Sequence, residues 1–375
     1  MVGAAQAAAL GQAGFRVALI EVRQPPPFDP AAEVDLRVSA ISGGSQQFLA
    51  SIKAWDAIAR QRISAYESMQ VWEQTGAGEL SFSAADSGLA SLGHIVENSL
   101  IIDALWQQLD TVEVICPARI AGLNLEESSA EIKLEEGRVL TSQLVIAADG
   151  GNSVTRELAG IGCYGWSYQQ RGIVAHVQTQ QPHQATAWQR FLPTGPLALL
   201  PLADGRCSIV WSASDALATE LLDLDDAAFG QRLTEALEGR LGEVSVTSQR
   251  AAFPLRMQQA EAYCAPRLAL VGDAAHVIHP LAGQGVNLGF GDAAHLLEVL
   301  QQTRQAGRDL GEHRRLRRYE RARKAEDALM ATATDGLNRL YASDNPLIQL
   351  GRRQGSRLVN LLTPLKSALI QQAAG

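Results

Sequence analysis

Apolar residues recur along this chain in two rhythms, and the changes from one to the other mark out its architecture. Residues 4–13 are small and mostly apolar (Ala4, Ala5, Ala7, Ala8, Ala9), which predicts a helix lying close against a sheet, and "RVALIE" follows as a buried strand. "QPPPFDP" at 24–30 suits neither a helix nor a central strand and predicts a surface loop. Beyond it Phe48, Leu49, Ile52, Trp55 and Ile58 return at helical spacing and predict one helix over "SQQFLASIKAWDAIARQ". The period falls to two in "SMQVWE" and "ELSFSA", becomes helical in "NSLIIDALWQQL", and gives way to strands in "VEVI" and "AEIKLEEGRVLTSQLVIAADG". From about 165 to 255 alternation dominates again, with "GIVAHVQT", "LALLPL" and "CSIVWSAS" as the clearest strands. "RLALVGDAA" repeats the apolar strand ending in Gly-Asp, and everything after Gln284 reads as mostly helical.

Because the two kinds of block interleave, the chain is expected to form two domains threaded through each other. Its 375 residues allow this, since single cores rarely grow past roughly 250–300 residues. A net charge of −8 argues against a general affinity for nucleic acid, so no nucleic-acid partner is expected. Cys116, Cys163, Cys207 and Cys264 stand far apart without CxxC pairing, which points to a reducing compartment rather than a zinc site or a disulfide framework. The apolar first fifteen residues follow no Lys or Arg and run on into a strand, so they are not read as a secretory signal. No apolar window approaches the ~18 residues of a spanning helix, and any membrane contact would be peripheral.

Three strand ends carry the candidate chemistry. Glu21 closes "VALIE", where the acid of a dinucleotide fold hydrogen-bonds the adenosine ribose while the helix N-terminus, here at Gly3, receives the pyrophosphate. An ordinary helix–strand unit with a solvent-facing acid fits the same letters. "VIAADGGNSVTRELAG" delivers Asp149 and Gly150 into a turn, with Ser153 and Arg156 on the next helix. Its glycines let backbone pass close to a pyrophosphate, and Arg156 can supply the cation that a carboxylate there needs; a capped helix with a stabilising Arg is the alternative.

The third stretch, "LALVGDAAHVIHPLAGQGVNLGFGDAAHL", places Gly272 and Asp273 at the carboxyl edge of a strand, where open sheets bind ligands. Pro280 then breaks the chain, and the glycine-rich "AGQGVNLG" opens a helix whose unpaired first amides would stabilise an anion, including the charge on a reduced flavin. Asp273, His276 and His279 at steps of three resemble a metal triad, but Pro280 and the glycines disfavour a regular ligand-bearing helix, and no metal is expected. "GQGVNLG" has the wrong glycine spacing for a nicotinamide fingerprint.

With these motifs in this order the chain resembles the flavin-dependent aromatic hydroxylases, the single-component family typified by para-hydroxybenzoate hydroxylase. "LRVSAIS", "WDAI", "GHIVENSLI", "LVIAADGGNS", "CSIVWS", "LALVGDAAHVIHPLAGQGVNLGF" and "RRYERARK" look like its ubiquinone-biosynthesis branch, above all like members that hydroxylate a polyprenylated phenol at ring carbon five. The resemblance implies an α/β fold. An FAD-binding Rossmann-like domain of the glutathione-reductase type would take residues 1–65, 93–160 and 256–335. It would be interleaved with a β-sheet substrate domain over 66–92 and 161–255, and 336–375 would form a helical C-terminal segment.

The resemblance also implies noncovalent FAD, NAD(P)H as a transient reductant and oxygen as co-substrate. By similarity Glu21 holds the adenosine ribose, Arg37 and Asn98 reach the FAD phosphates or ribityl region, and Asp273, after Gly272, holds the ribityl chain. Asp149, Gly150 and Arg156 match a motif serving both FAD and the nicotinamide donor. The backbone of Gly283, Gln284, Gly285, Val286 and Asn287 would face the flavin ring. Pro280, Gly283, Gln284 and Gly285 in the "HPLAGQG" loop would bound the oxygen site and form the catalytic surface. The implied mechanism passes through a C4a-hydroperoxyflavin attacked by an electron-rich phenol, and the protein excludes water and orients the ring. A prenyl tail calls for an apolar channel, for which Phe191, Leu197, Leu199, Leu200 and Trp211 are candidates, although alternating residues of this kind serve equally as plain core.

Family members begin with a strand and the run "GGGMVG", so Met1 stands at the family's internal methionine and the first strand of the FAD domain is expected to be missing. The literal chain would then bind FAD poorly or aggregate. "HRRLRRYERARK" reads as a solvated helix face with Glu320 pairing Arg neighbours. The Leu-rich tail with Arg352, Arg353, Arg357 and Lys366 either packs on the core or meets anionic lipid. The expected setting is cytoplasmic, with peripheral contact at the inner face of a membrane. Expected partners are a polyprenylated phenol, oxygen and a ubiquinone-biosynthesis protein complex; a related hydroxylase acting on another ring position or a soluble phenol, and a non-catalytic subunit of such a complex, are the alternatives.

Overall fold

The computed structural model describes residues 1–73, 79–278 and 285–342. Helix α1 (Val2–Gln12) turns at Gly14 into strand β1 (Val17–Ile20), and the proline-rich loop leads to β2 (Val38–Ile41). The helix predicted after it is two, α2 (Gly43–Ser51) and α3 (Trp55–Ala59). Lys53 takes a left-handed φ of 61° between them, and the Ala54 amide reaches back to the Leu49 carbonyl, a closing pattern that ends a helix. Both pieces still bury Phe48, Leu49, Ile52, Trp55 and Ile58 in one core, which is why the periodicity read as continuous. Next come β3 (Ser64–Tyr66), β4 (Ser68–Glu73), β5 (Leu80–Ser83), β6 (Gly93–Glu97), α4 (Asn98–Trp106) and β7 (Val112–Ile115).

A meander of β8 (Ile120–Leu125), β9 (Ala130–Leu134) and β10 (Val139–Ser142) precedes β11 (Val145–Ala147) and the short α5 (Val154–Leu158). The 17-residue β12 (Cys163–Thr179) then starts a large sheet with β13 (Thr186–Leu192), β14 (Gly195–Pro201) and β15 (Cys207–Ser214). Helices α6 (Asp215–Asp223) and α7 (Asp226–Ala236) follow, capped by Ser214 and Asp225, and β16 (Val244–Val246) and β17 (Ala251–Ala260) return to the sheet. The chain closes with β18 (Cys264–Ala265), β19 (Leu268–Leu270), β20 (His276–Val277), α8 (Gly285–Gln305) and α9 (His313–Ala342).

The large sheet has nine strands in the order β20-β17-β12-β15-β14-β13-β4-β5, with β16 beside β12. Alternation gives it two faces. Leu197, Leu199 and Trp211 point to the face covered by Ala218, Leu221, Phe229 and Leu233 of α6 and α7, so these three channel candidates are core. Leu200 lies on the other face, where it packs with Ala40 of β2 and Ile95 of β6.

Two parallel ladders lie beside α1. Val17 to Ile20 pair with Val112 to Ile115, and Val145 to Ala147 pair with Leu268 to Leu270. The helix joins them, burying Ala4, Ala5, Ala7, Ala8 and Ala9 against Ile101 and Phe290, and Leu10 against the core around Ala147 and Leu268. Among the described residues β1 pairs only with β7 and β11 only with β19, so one edge of each remains open and the parallel sheet is in two pieces.

Candidate functional site

The strand ends that the sequence singled out converge on the first turn of α1. The Met1 amino group is buried there, and desolvation lowers its pKa while Glu21 and Asp273 pull it up and Arg37 presses it down. The turn is reached through glycine notches. A Cβ on Gly3 would stand 3.0 Å from the Cβ of Ala148, and one on Gly272 would stand 3.2 Å from Val2, at a backbone φ of +59° that disfavours side chains. No side chain caps α1, so its first amides are available to an anion.

Glu21 follows β1 with Oε1 accepting the amides of Val22 (2.7 Å) and Arg23 (3.1 Å). Its Oε2 makes no hydrogen bond among the described residues, which suits it to ribose hydroxyls. Arg37 is exposed; its amide donates to Asp35 Oδ1 and its carbonyl accepts from the Asn98 amide, whereas its guanidinium makes no hydrogen bond among the described residues. Such a free fork matches a phosphate. Asn98 is buried, its Oδ1 accepting from Ser39 Oγ at 2.7 Å, so this oxygen braces β2 rather than reaching for a ligand, while its backbone amide holds Arg37. Asp273 opens to the cleft, yet protein surrounds it on most sides. That desolvation raises its pKa, and His276 and Arg37 pull it back.

The turn after β11 differs from expectation. Asp149 accepts from Ser153 Oγ and from the Thr155 amide (2.9 Å), which caps α5, so donors rather than Arg156 satisfy it. Arg156 is buried and spans two turns, donating to the carbonyls of Ala274 (2.9 Å) and Gly151 (3.1 Å). It ties the Asp149 turn to the Asp273 turn. Gly150 has a φ of +84° and faces open space. At the start of α8, Gly285 also faces open space and Val286 packs on the core. Asn287 bridges to β2, accepting from the Ser42 amide (3.1 Å) and donating to the Ala40 carbonyl (2.8 Å), so only the backbone there is free to face a flavin. His279, Pro280, Gly283 and Gln284 lie outside the described residues.

One group of residues was not anticipated. His276 turns its Nε2 to Asp292 (2.7 Å) on α8, away from any triad with Asp273. The other Asp292 oxygen accepts from Arg323 Nε (2.6 Å) on α9, and Arg323 lies 3.3 Å from Asp327. Ligand-type atoms of His276, Asp292 and Asp327 lie within 4.8 Å of one another, but the Arg323 guanidinium already supplies the positive charge there. Burial opposes charge on Asp292, yet His276 and Arg323 hold its pKa down. Asp327 is less well served, and burial pushes its pKa up to about 6. Glu320, expected to pair with Arg neighbours, instead accepts from the Tyr263 amide (2.9 Å). The signal was present as Leu316, Tyr319, Arg323 and Asp327 at helical steps, a buried stripe inside a basic run.

Comparison with known proteins gives the family of this chain. The family described as "FAD binding domain" matches residues 122–333, more than half of the chain. The 3-demethoxyubiquinol 3-hydroxylase of Escherichia coli is 37% identical, covering 100% of this chain and 96% of its own. The ubiquinone biosynthesis monooxygenase COQ6 of Xenopus tropicalis is 38% identical, covering 100% and 91%. The fold matches p-nitrophenol 4-monooxygenase PnpA of Pseudomonas putida with a TM-score of 0.78 at 18% identity, over 100% of this chain and 96% of that one. The chain therefore belongs to the FAD-binding family of flavin-dependent aromatic hydroxylases, in the branch that contains the ubiquinone-biosynthesis hydroxylases.

Proposed function

We propose that this protein is an FAD-dependent monooxygenase that hydroxylates the aromatic ring of a polyprenylated phenol in ubiquinone biosynthesis. The observation that carries the reading is the convergence of Glu21, the free Arg37 fork and Asp273 on the uncapped start of α1, a donor and acceptor set that fits FAD. FAD, when bound, takes hydride from NAD(P)H and activates oxygen for transfer to the ring. Glu21 would hold the ribose hydroxyls, Arg37 and the α1 amides the phosphates, and Asp273 the ribityl hydroxyls. The first amides of α8 from Gly285 would stabilise negative charge on the ring edge. The sheet face bearing Leu200 would shut water out and orient the substrate ring; a cavity of about 160 Å³ lined partly by Val38, Ile95 and Leu202 opens on that side.

The test is to titrate FAD into the purified chain and then measure NAD(P)H consumption against hydroxylated product with a polyprenylphenol. Product formed in step with NAD(P)H supports the reading; NAD(P)H oxidation without product across such phenols overturns it. No helix among the described residues is long and apolar enough to cross a membrane. The basic Leu-rich tail lies outside the described residues, and its contact with anionic lipid stands as part of this proposal. Salt-sensitive liposome binding lost on trimming the tail supports that contact, and binding unchanged by trimming removes it.

A further inference from the structure

We propose that Asp292, which touches no ligand, is the positioning residue through which helix α9 holds the Gly272–Asp273 turn in the shape that receives the flavin. The proposal rests on the FAD reading above for its purpose, but its geometry stands alone. The turn leaves β19 at a left-handed glycine that opens the short helix Gly272–Ala274, and Val271 before it offers no capping side chain. The Gly272 amide donates to Asp292 Oδ2 at 2.8 Å, so a fully buried carboxylate holds the turn from beneath. The same oxygen takes His276 Nε2, three residues beyond Asp273, and thus grips the segment on both sides of the ligand-facing acid.

Helix α9 fixes that carboxylate. Arg323 donates Nε to Asp292 Oδ1 (2.6 Å) and Nη2 to the carbonyl of Leu288 (3.2 Å) in the first turn of α8, and it pairs with Asp327 and Glu326 on its own helix. Tyr319 donates to the Leu270 carbonyl at 2.6 Å, two residues before Gly272. One helix therefore sets both the Asp273 turn and the start of α8. The same helix also runs beside β13 and β14 of the large sheet, so it touches the substrate side as well as the flavin side. Only a carboxylate serves at 292. Three donors converge on its two oxygens, and an amide would turn one acceptor into a donor facing either Arg323 or the Gly272 amide.

A purely structural ion cluster would loosen the protein everywhere when damaged, whereas a positioning residue loosens one turn. The experiment is Asp292→Asn, read by amide hydrogen exchange on the FAD-free protein and by separate titrations with FAD and with ADP. Expected are at least tenfold faster exchange at Gly272–Asp273 with β12, β14 and β15 unchanged, and FAD affinity at least tenfold lower with ADP affinity kept. On the FAD reading, ADP would engage Glu21 and the α1 amides but not Asp273. Unchanged exchange at the turn, faster exchange across all elements, or equal loss of FAD and ADP would overturn the proposal. Should Asp292→Asn not fold, Arg323→Lys, which keeps the cation and loses the fork, is expected to give the same local exchange pattern. If the parent chain takes up FAD but yields no hydroxylated product, the functional reading falls while the exchange and affinity results still decide this one.

Discussion

In the nine-stranded sheet every strand from β17 to β4 is paired along both edges, whereas β1 and β11 under helix α1 are each paired along one edge among the described residues. The two halves are therefore held by different forces. On the sheet side the backbone ladder sets the geometry, and the side chains of one face fill a core with α6 and α7. On the flavin side side-chain bridges do this work: Arg156 between two turns, Asn287 between α8 and β2, and Asp292 with Arg323 between β19, α8 and α9.

The contrast can be broken at its strongest point with Gly195→Ala. Gly195 has a φ of +132° and lies against the Ser212 carbonyl inside the ladder, so the variant should lose upwards of about 3 kcal/mol in urea unfolding. A loss below about 1 kcal/mol would mean that the sheet yields as easily as the flavin side. Hydrogen exchange compares the halves directly. Amides of β1 that point away from β7 should exchange roughly a hundredfold faster than those of β15, and equal rates would show that the open edge is closed in solution.

Arg156→Met tests the side-chain bridges. It abandons the carbonyls of Gly151 and Ala274 and should cost on the order of 2 kcal/mol, with FAD affinity reduced and β12–β15 exchange unaltered. An unchanged urea midpoint would remove Arg156 from the account. The smallest effect is in pH. Burial opposes the His276 imidazolium, but Asp292 and Asp327 outweigh burial and the opposing Arg323, so its pKa is raised above 6.5. The charged pair thus contributes fully below the unfolded value near 6.5 and fades as pH rises through the folded one. His276→Asn should accordingly cost most below pH 6.5, on the order of 1 kcal/mol, and less above the folded value. Asp327 has its own window: raised to about 6, it withdraws stability as pH climbs from 3.8 to that value, so Asp327→Asn in parallel separates the two. A His276→Asn cost that grows with pH would contradict the charged pair.

Much of the fold was legible because periodicity survives local breaks. The residues predicted on one helix over 45–61 form one core although Lys53 divides the helix. The convergence of Glu21, Arg37 and Asp273 was legible through the family resemblance and through strand ends that must meet at one sheet edge. The duties of Asp149, Arg156 and Asn287 were not, because hydrogen-bond partners far apart in sequence decide whether a polar group faces a ligand or the protein. The same holds for Leu197, Leu199 and Trp211, whose apolar alternation specifies a face but not what covers it.

The sequence by itself determined which segments alternate and which wind, that the strands end in acids and glycines, and that the chain belongs with flavin hydroxylases. Those are local properties, set by side-chain period and backbone freedom. Only the tertiary structure decided that Asp292, a charged residue amid an amphipathic helix, is fully buried beneath Gly272, and that Arg323 in a basic run faces inward to meet it. Burying a charge is tolerable only where an opposite charge and enough donors arrive from other elements, and that condition is met in space rather than along the chain.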